Sequence, residues 1–94
     1  MIEVGKKIPQ GVIEKVSEDG RIIAVYSQWS LGDKGMIYAK NFFNQRDYLG
    51  KVPTITVGGV GYHMIERCAE YADLMRRFNW YVTDKASAYS RKEL

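Results

Sequence analysis

The sequence predicts an α+β domain, a small antiparallel sheet of about four to five strands with one amphipathic helix packed on one face. Three observations carry this expectation. The stretch GVIEKVSEDGRIIAVYS holds two β-branched runs joined by Ser17-Glu18-Asp19-Gly20, and Asp-Gly is a strong short-range hairpin signal. From Tyr62 to Phe78 apolar residues recur at helical spacing. The chain of 94 residues has room for one core, because two would leave each half near the lower limit of independent folding, roughly 40 residues. A single domain is expected over residues 1–83, with the polar tail 84–94 expected to fray.

The hairpin places strands near Val12–Ser17 and Arg21–Ser27. In the second, Ile22, Ala24 and Tyr26 alternate with Ile23 and Val25, so both faces are apolar and the strand reads as central. Ser30-Leu31-Gly32-Asp33-Lys34-Gly35 reads as a loop, and Met36–Lys40 as a third strand. The aromatics of Asn41–Tyr48 fit neither a period of two nor one of 3.6, which points to an irregular turn or short helix. Val52–Val57 reads as another strand, with Pro53 favouring its start or an edge.

In the expected Tyr62–Phe78 helix, Met64, Ile65, Cys68, Ala72 and Met75 share the core face, and Ala69, Tyr71 and Phe78 lie at its margins. Glu66, Glu70, Asp73 and Arg77 form the solvated side. Asn79 can end the helix, and Trp80–Thr83 then reads as a last short strand.

Composition excludes several classes. Hydrophobic residues make up 46% and charged residues 27%, as in ordinary globular domains. The longest uncharged stretch, Val52–Ile65, is interrupted by glycines and a proline and falls short of the roughly 18 apolar residues of a membrane span. The N-terminal MIEVGKKIPQG has no apolar core of a secretory signal, and Cys68 is the sole cysteine, so the expected setting is the reducing cytoplasm. The net charge of +3 is too small for a basic nucleic-acid arm.

TVGGVGYH, between the fourth strand and the expected helix, would place backbone N–H groups and a helix dipole at one spot, an arrangement suited to anions. Gly58, Gly59, Gly61 and His63 are the residues of that reading. The spacing matches neither dinucleotide nor P-loop patterns, so a sharp bend is the preferred account of the glycines. His63 with Glu66, Glu70 and Asp73 would line one side of the helix as a charged stripe, but zinc or iron usually takes a second histidine or a thiolate and Cys68 faces the apolar side, so no metal and no cofactor is expected. Cys68 would lie about 140° from His63 around that helix, too far for a nucleophile–base pair, and reads as a small core hydrophobe. No catalytic set emerges and the chain is expected not to be an enzyme.

Arg21, Lys34, Lys40 and Arg46 are interleaved with Tyr26, Trp29, Tyr38, Phe42, Phe43 and Tyr48, as in sheets that hold single-stranded nucleic acid. Alternatively, Trp29, Lys34, Arg76, Arg77, Trp80 and Tyr81 offer the residue types that anchor protein interfaces. The leading expectation is therefore a small intracellular, non-enzymatic binding protein that occupies a partner protein's surface. It would act as an inhibitor or adaptor of the kind viruses and mobile elements encode. Binding of nucleic acid or a nucleotide through the basic–aromatic segment or GGVG is the alternative.

Overall fold

A computed structural model describes residues 2–27, 35–40 and 53–84. Among these residues six strands form one antiparallel sheet: β1 Lys7–Ile8, β2 Gly11–Val16, β3 Ile22–Tyr26, β4 Gly35–Lys40, β5 Thr54–Val57 and β6 Val60–Cys68, in the order β1-β2-β3-β4-β6-β5. The α-helix among the described residues, α1 Tyr71–Asn79, follows and runs into a π-helical turn, Trp80–Asp84. The expected α+β class is met, with six strands in place of four or five.

The first hairpin forms as expected. Ser17 and Gly20 close its turn by an N–H donated from Gly20 to the Ser17 carbonyl (2.9 Å). Asp19 accepts from the Ser17 hydroxyl (2.8 Å) and from the Arg21 N–H (3.1 Å), so the carboxylate stitches the turn from inside. β3 is central, as its two apolar faces predict, lying between β2 and β4.

The long helix expected over Tyr62–Phe78 is corrected. Residues 60–68 are strand and only Tyr71–Asn79 is α-helical. The cause lies in Gly58 and Gly59, whose φ values of 59° and 81° are those a two-residue primed turn requires, so Val57 pairs with Val60 and the chain doubles back. Val60, Tyr62 and Met64 then alternate inward at strand period. Next, Ile37 of β4 pairs with Glu66 while Tyr38 pairs with Met64, leaving Ile65 as the extra residue of a β-bulge. That bulge reverses the parity of the strand, so its apolar positions imitate a helical repeat.

The sheet carries a hydrophobic cluster on each face. Ile13, Ile23, Val25, Tyr38, Ile55, Val57 and Tyr62 form the inner one, which takes in Ile8 from the edge opposite β5. Both ends of the sheet thus contribute to one interior, and the sheet is nearly barrel-shaped. Tyr62, almost wholly buried, donates its hydroxyl to the Gly20 carbonyl at 2.7 Å and ties β6 to the distant first hairpin. Ile22, Ala24, Ile37, Ala39 and Cys68 form the outer cluster, covered by Leu74 and Phe78 of α1. Helix packing therefore rests on Leu74 and Phe78, whereas Ala72, expected in the core, is exposed.

The last strand expected at Trp80–Thr83 is also corrected: these residues continue the helical path as the π-helical turn, with the Thr83 hydroxyl donating to the Asn79 carbonyl at 2.7 Å. α1 ends at Asn79, as expected, while Trp80 keeps right-handed helical backbone angles and leads into the π-helical turn. Among the described residues no helix is long and apolar enough to cross a membrane. The expectations for residues 28–34, 41–52 and 85–94, including Trp29, Lys34 and Arg46, lie outside the described residues.

Candidate functional site

Three of the residues expected to anchor a protein partner, Arg77, Trp80 and Tyr81, converge at the end of α1. The bulge at Ile65 turns Glu66 onto the helix-bearing side of the sheet, and Arg77 projects from the last turn of α1 to meet it. Arg77 donates from Nε to Glu66 Oε2 at 2.8 Å and from Nη2 to Glu66 Oε1 at 3.0 Å. Such a forked contact fixes the guanidinium plane as well as its charge.

Two aromatic residues complete the cluster. Arg77 lies over the Trp80 indole, 4.1 Å from the ring centroid, and 5.6 Å from that of Tyr81. Trp80 and Tyr81 meet edge to face, with centroids 5.0 Å apart and planes at 77°. The Tyr81 hydroxyl donates to Glu66 Oε1 at 2.7 Å. Burial, reinforced by that hydrogen bond and the Glu66 charge, pushes the Tyr81 hydroxyl well above its usual range, so it stays a donor. The hydrogen bonds to Glu66 also hold Arg77 above its already high value.

Arg76 points elsewhere. It pairs with Asp73 at 2.5 Å one turn back, and its side chain is 67% exposed. Both arginines sit in the last turn of α1, where positive charge suits the negative end of the helix dipole.

Glu66 is the residue that sequence reasoning placed wrongly. On a continuous helix it would join His63, Glu70 and Asp73 in a solvated stripe. In the structure His63 and Glu66 are on β6, Glu70 precedes α1 and Asp73 is within it, so the stripe does not form. Among the described residues no group of three His, Cys, Asp or Glu is arranged to hold a metal ion. The signal that could have located Glu66 is the apolar alternation Val60, Tyr62, Met64 after Gly-Gly, which marks a strand.

The residues of the alternative reading divide. Arg21 and Lys40 come together across β3 and β4, where the Lys40 N–H donates to the Arg21 carbonyl at 2.7 Å. Of the aromatics expected beside them, Tyr38 is buried in the inner cluster and Tyr26 packs edge to face with Tyr71, centroids 5.2 Å apart. Tyr38 therefore offers no open stacking face. Gly58 and Gly59 form the β5–β6 turn, and Gly61 and His63 lie within β6, opposite Thr56 and Thr54. The helix dipole that made GGVG suited to an anion is absent from this position, since α1 begins at Tyr71.

Cys68 lies in the outer cluster, as its reading as a core hydrophobe predicts. Burial, with the Glu66 and Asp73 carboxylates adding to it, pushes its thiol up to about 11, the reverse of what activates a cysteine nucleophile.

No family model, curated protein or solved structure matches the chain.

Proposed function

We propose that this chain is a non-enzymatic binding protein that occupies a surface of a partner protein, with Arg76, Arg77, Trp80 and Tyr81 as its anchors. One observation carries the reading: Arg77 is held at once by the Glu66 carboxylate and by the Trp80 ring. Tryptophan, tyrosine and arginine dominate the energetics of protein interfaces. Ordering such side chains on binding costs roughly 0.5–1.5 kcal/mol each, a cost reduced where they are fixed beforehand. Here the clamp on Glu66 fixes three of the four, and Arg76 supplies an exposed charge at the rim.

The test is capture of partners from cell lysate on tagged protein, with and without nuclease, comparing the native chain with Trp80→Ala and Arg76→Glu. A discrete protein band should survive nuclease. Truncating Trp80 should weaken its capture by a free energy of about 2 kcal/mol or more if it is a hot spot. A band captured equally by every folded variant would remove the helix end from the interface.

The adjacency of Arg21 and Lys40 favours a second reading, nucleic-acid binding at that end of the sheet. Its mark would be affinity that falls steeply with salt, by a slope that flattens when Arg21 or Lys40 is replaced by alanine. An unchanged slope in both variants would eliminate it.

A further inference from the structure

We propose that β5 is an association edge, at which two copies of this chain pair antiparallel about a two-fold axis. Among the described residues β5 ends the sheet, with β6 as its one strand neighbour. The Met64 N–H donates to the Pro53 carbonyl at 2.9 Å, and Val57 pairs with Val60 across the two-residue turn. Residues 53, 55 and 57 therefore direct their backbone groups at β6, while Thr54 and Thr56 direct theirs away from it. Among the described residues nothing pairs with that outward edge.

Proteins commonly defend such an edge with charge, a bulge or a very short strand. β5 is short, at four residues, but carries neither a charge nor a bulge: it reads Thr-Ile-Thr-Val, and no charged residue occurs from Val52 to Tyr62. Pro53 blunts only its first position. Both threonines are exposed while Ile55 and Val57 are buried, so the strand is fixed in register by its inner face.

A second copy fits this edge because the strand is complementary to itself. With the two-fold axis at Ile55, Thr54 faces the partner's Thr56 and Thr56 faces the partner's Thr54, closing two hydrogen-bonded pairs. Threonine opposite threonine is a favourable cross-strand pair, and an uncharged edge lets two molecules of net charge +3 approach without like charges meeting along it. The pairing uses residues other than the helix-end anchors, so it stands or falls separately from the proposed function.

Charge-swap variants give the test, read by sedimentation velocity over a concentration series with circular dichroism as the check on folding. Both side chains are exposed, so Thr54→Lys/Thr56→Lys and Thr54→Glu/Thr56→Glu should fold. The native chain should dimerise with concentration, each double variant should weaken dimerisation at least about tenfold, and an equimolar mixture of the two should recover it, since every threonine pair becomes a lysine–glutamate pair. Thr56→Pro removes an outward N–H without touching a bond to β6 and should also favour the monomer. A native chain that stays monomeric throughout overturns the proposal and leaves the edge for another protein's strand. Double variants that dimerise as the native chain does would overturn it too, and a mixture that fails to recover would overturn the register.

Discussion

Gly35 of β4 lies so close beneath Leu74 of α1 that a Cβ built on the glycine would stand 2.7 Å from Leu74 Cδ2 and 2.9 Å from Leu74 Cβ. The helix rests directly on the backbone of the sheet at this point. The glycine is needed for space and not for its backbone angle. Gly35→Ala should destabilise the fold by about 1–3 kcal/mol in urea denaturation, the usual cost of overpacking. Leu74→Ala should cost about 2–5 kcal/mol, since Leu74 is fully buried. The double variant should be more stable than the sum predicts, because losing the leucine removes the clash. Additive losses would show that the two residues do not compete for space.

Gly59→Ala and Gly61→Ala should differ. Gly59 holds a positive φ in the β5–β6 turn, and forcing alanine there should cost about 1 kcal/mol or more. Gly61 has no positive φ, and an added Cβ would meet nothing within 4 Å, so its alanine variant should be close to neutral in the same melts. Gly58→Asn should be tolerated, because asparagine followed by glycine suits this turn and the new Cβ would meet only Ile2 at 3.8 Å. Equal losses at Gly59 and Gly61 would contradict the turn assignment.

Acid should loosen the first hairpin through Asp19. Partial burial raises its carboxyl value, but the Ser17 hydroxyl, the Arg21 N–H and the Arg21 charge outweigh it and hold the group below its ordinary 3.8. A depressed carboxylate stabilises the fold fully above the unfolded value and loses that contribution as pH falls through the folded one. The loss should therefore begin below about pH 4 and be absent from Asp19→Asn, as followed by amide exchange of Gly20 and Ile22. Identical acid profiles would dismiss the carboxylate.

Cys68 should resist alkylation while the chain is folded. Its thiol, ordinarily near 9.0, is pushed up to about 11 by burial. A raised value means stability that is complete below about pH 9 and lost as pH rises toward 11, because the unfolded chain ionises first. Iodoacetamide at pH 8 should label the native chain far more slowly than the urea-unfolded one. Rapid native labelling would place the thiol at the surface.

Local chemistry announced the first hairpin and β3, where Asp19-Gly20 and a doubly apolar run leave little choice. The second hairpin was hidden by coincidence. Gly58 and Gly59 are as strong a turn signal as Asp-Gly, but they precede a strand whose bulge at Ile65 breaks the period of two. The apolar residues Met64, Ile65, Cys68, Ala72 and Met75 then satisfy a helical wheel although they come from two elements. Register shifts arise from pairing with a distant strand and leave no local mark. The helix-end site was half legible: Arg77, Trp80 and Tyr81 stand out by residue type, whereas Glu66 joins them only through that bulge.

The strand order has a consequence for a chain emerging from the ribosome. β1 to β4 can assemble as soon as Lys40 is free, yet the neighbour that β4 awaits, β6, ends at Cys68 and arrives only after β5 has been made. At roughly 5–20 residues per second the side of β4 that β6 will take stays open for a few seconds, with Ile37 and Ala39 not yet covered by Leu74 and Phe78. Nascent chains halted in that interval are the species most exposed to aggregation and chaperone capture, and release past Phe78 is the step that ends the exposure.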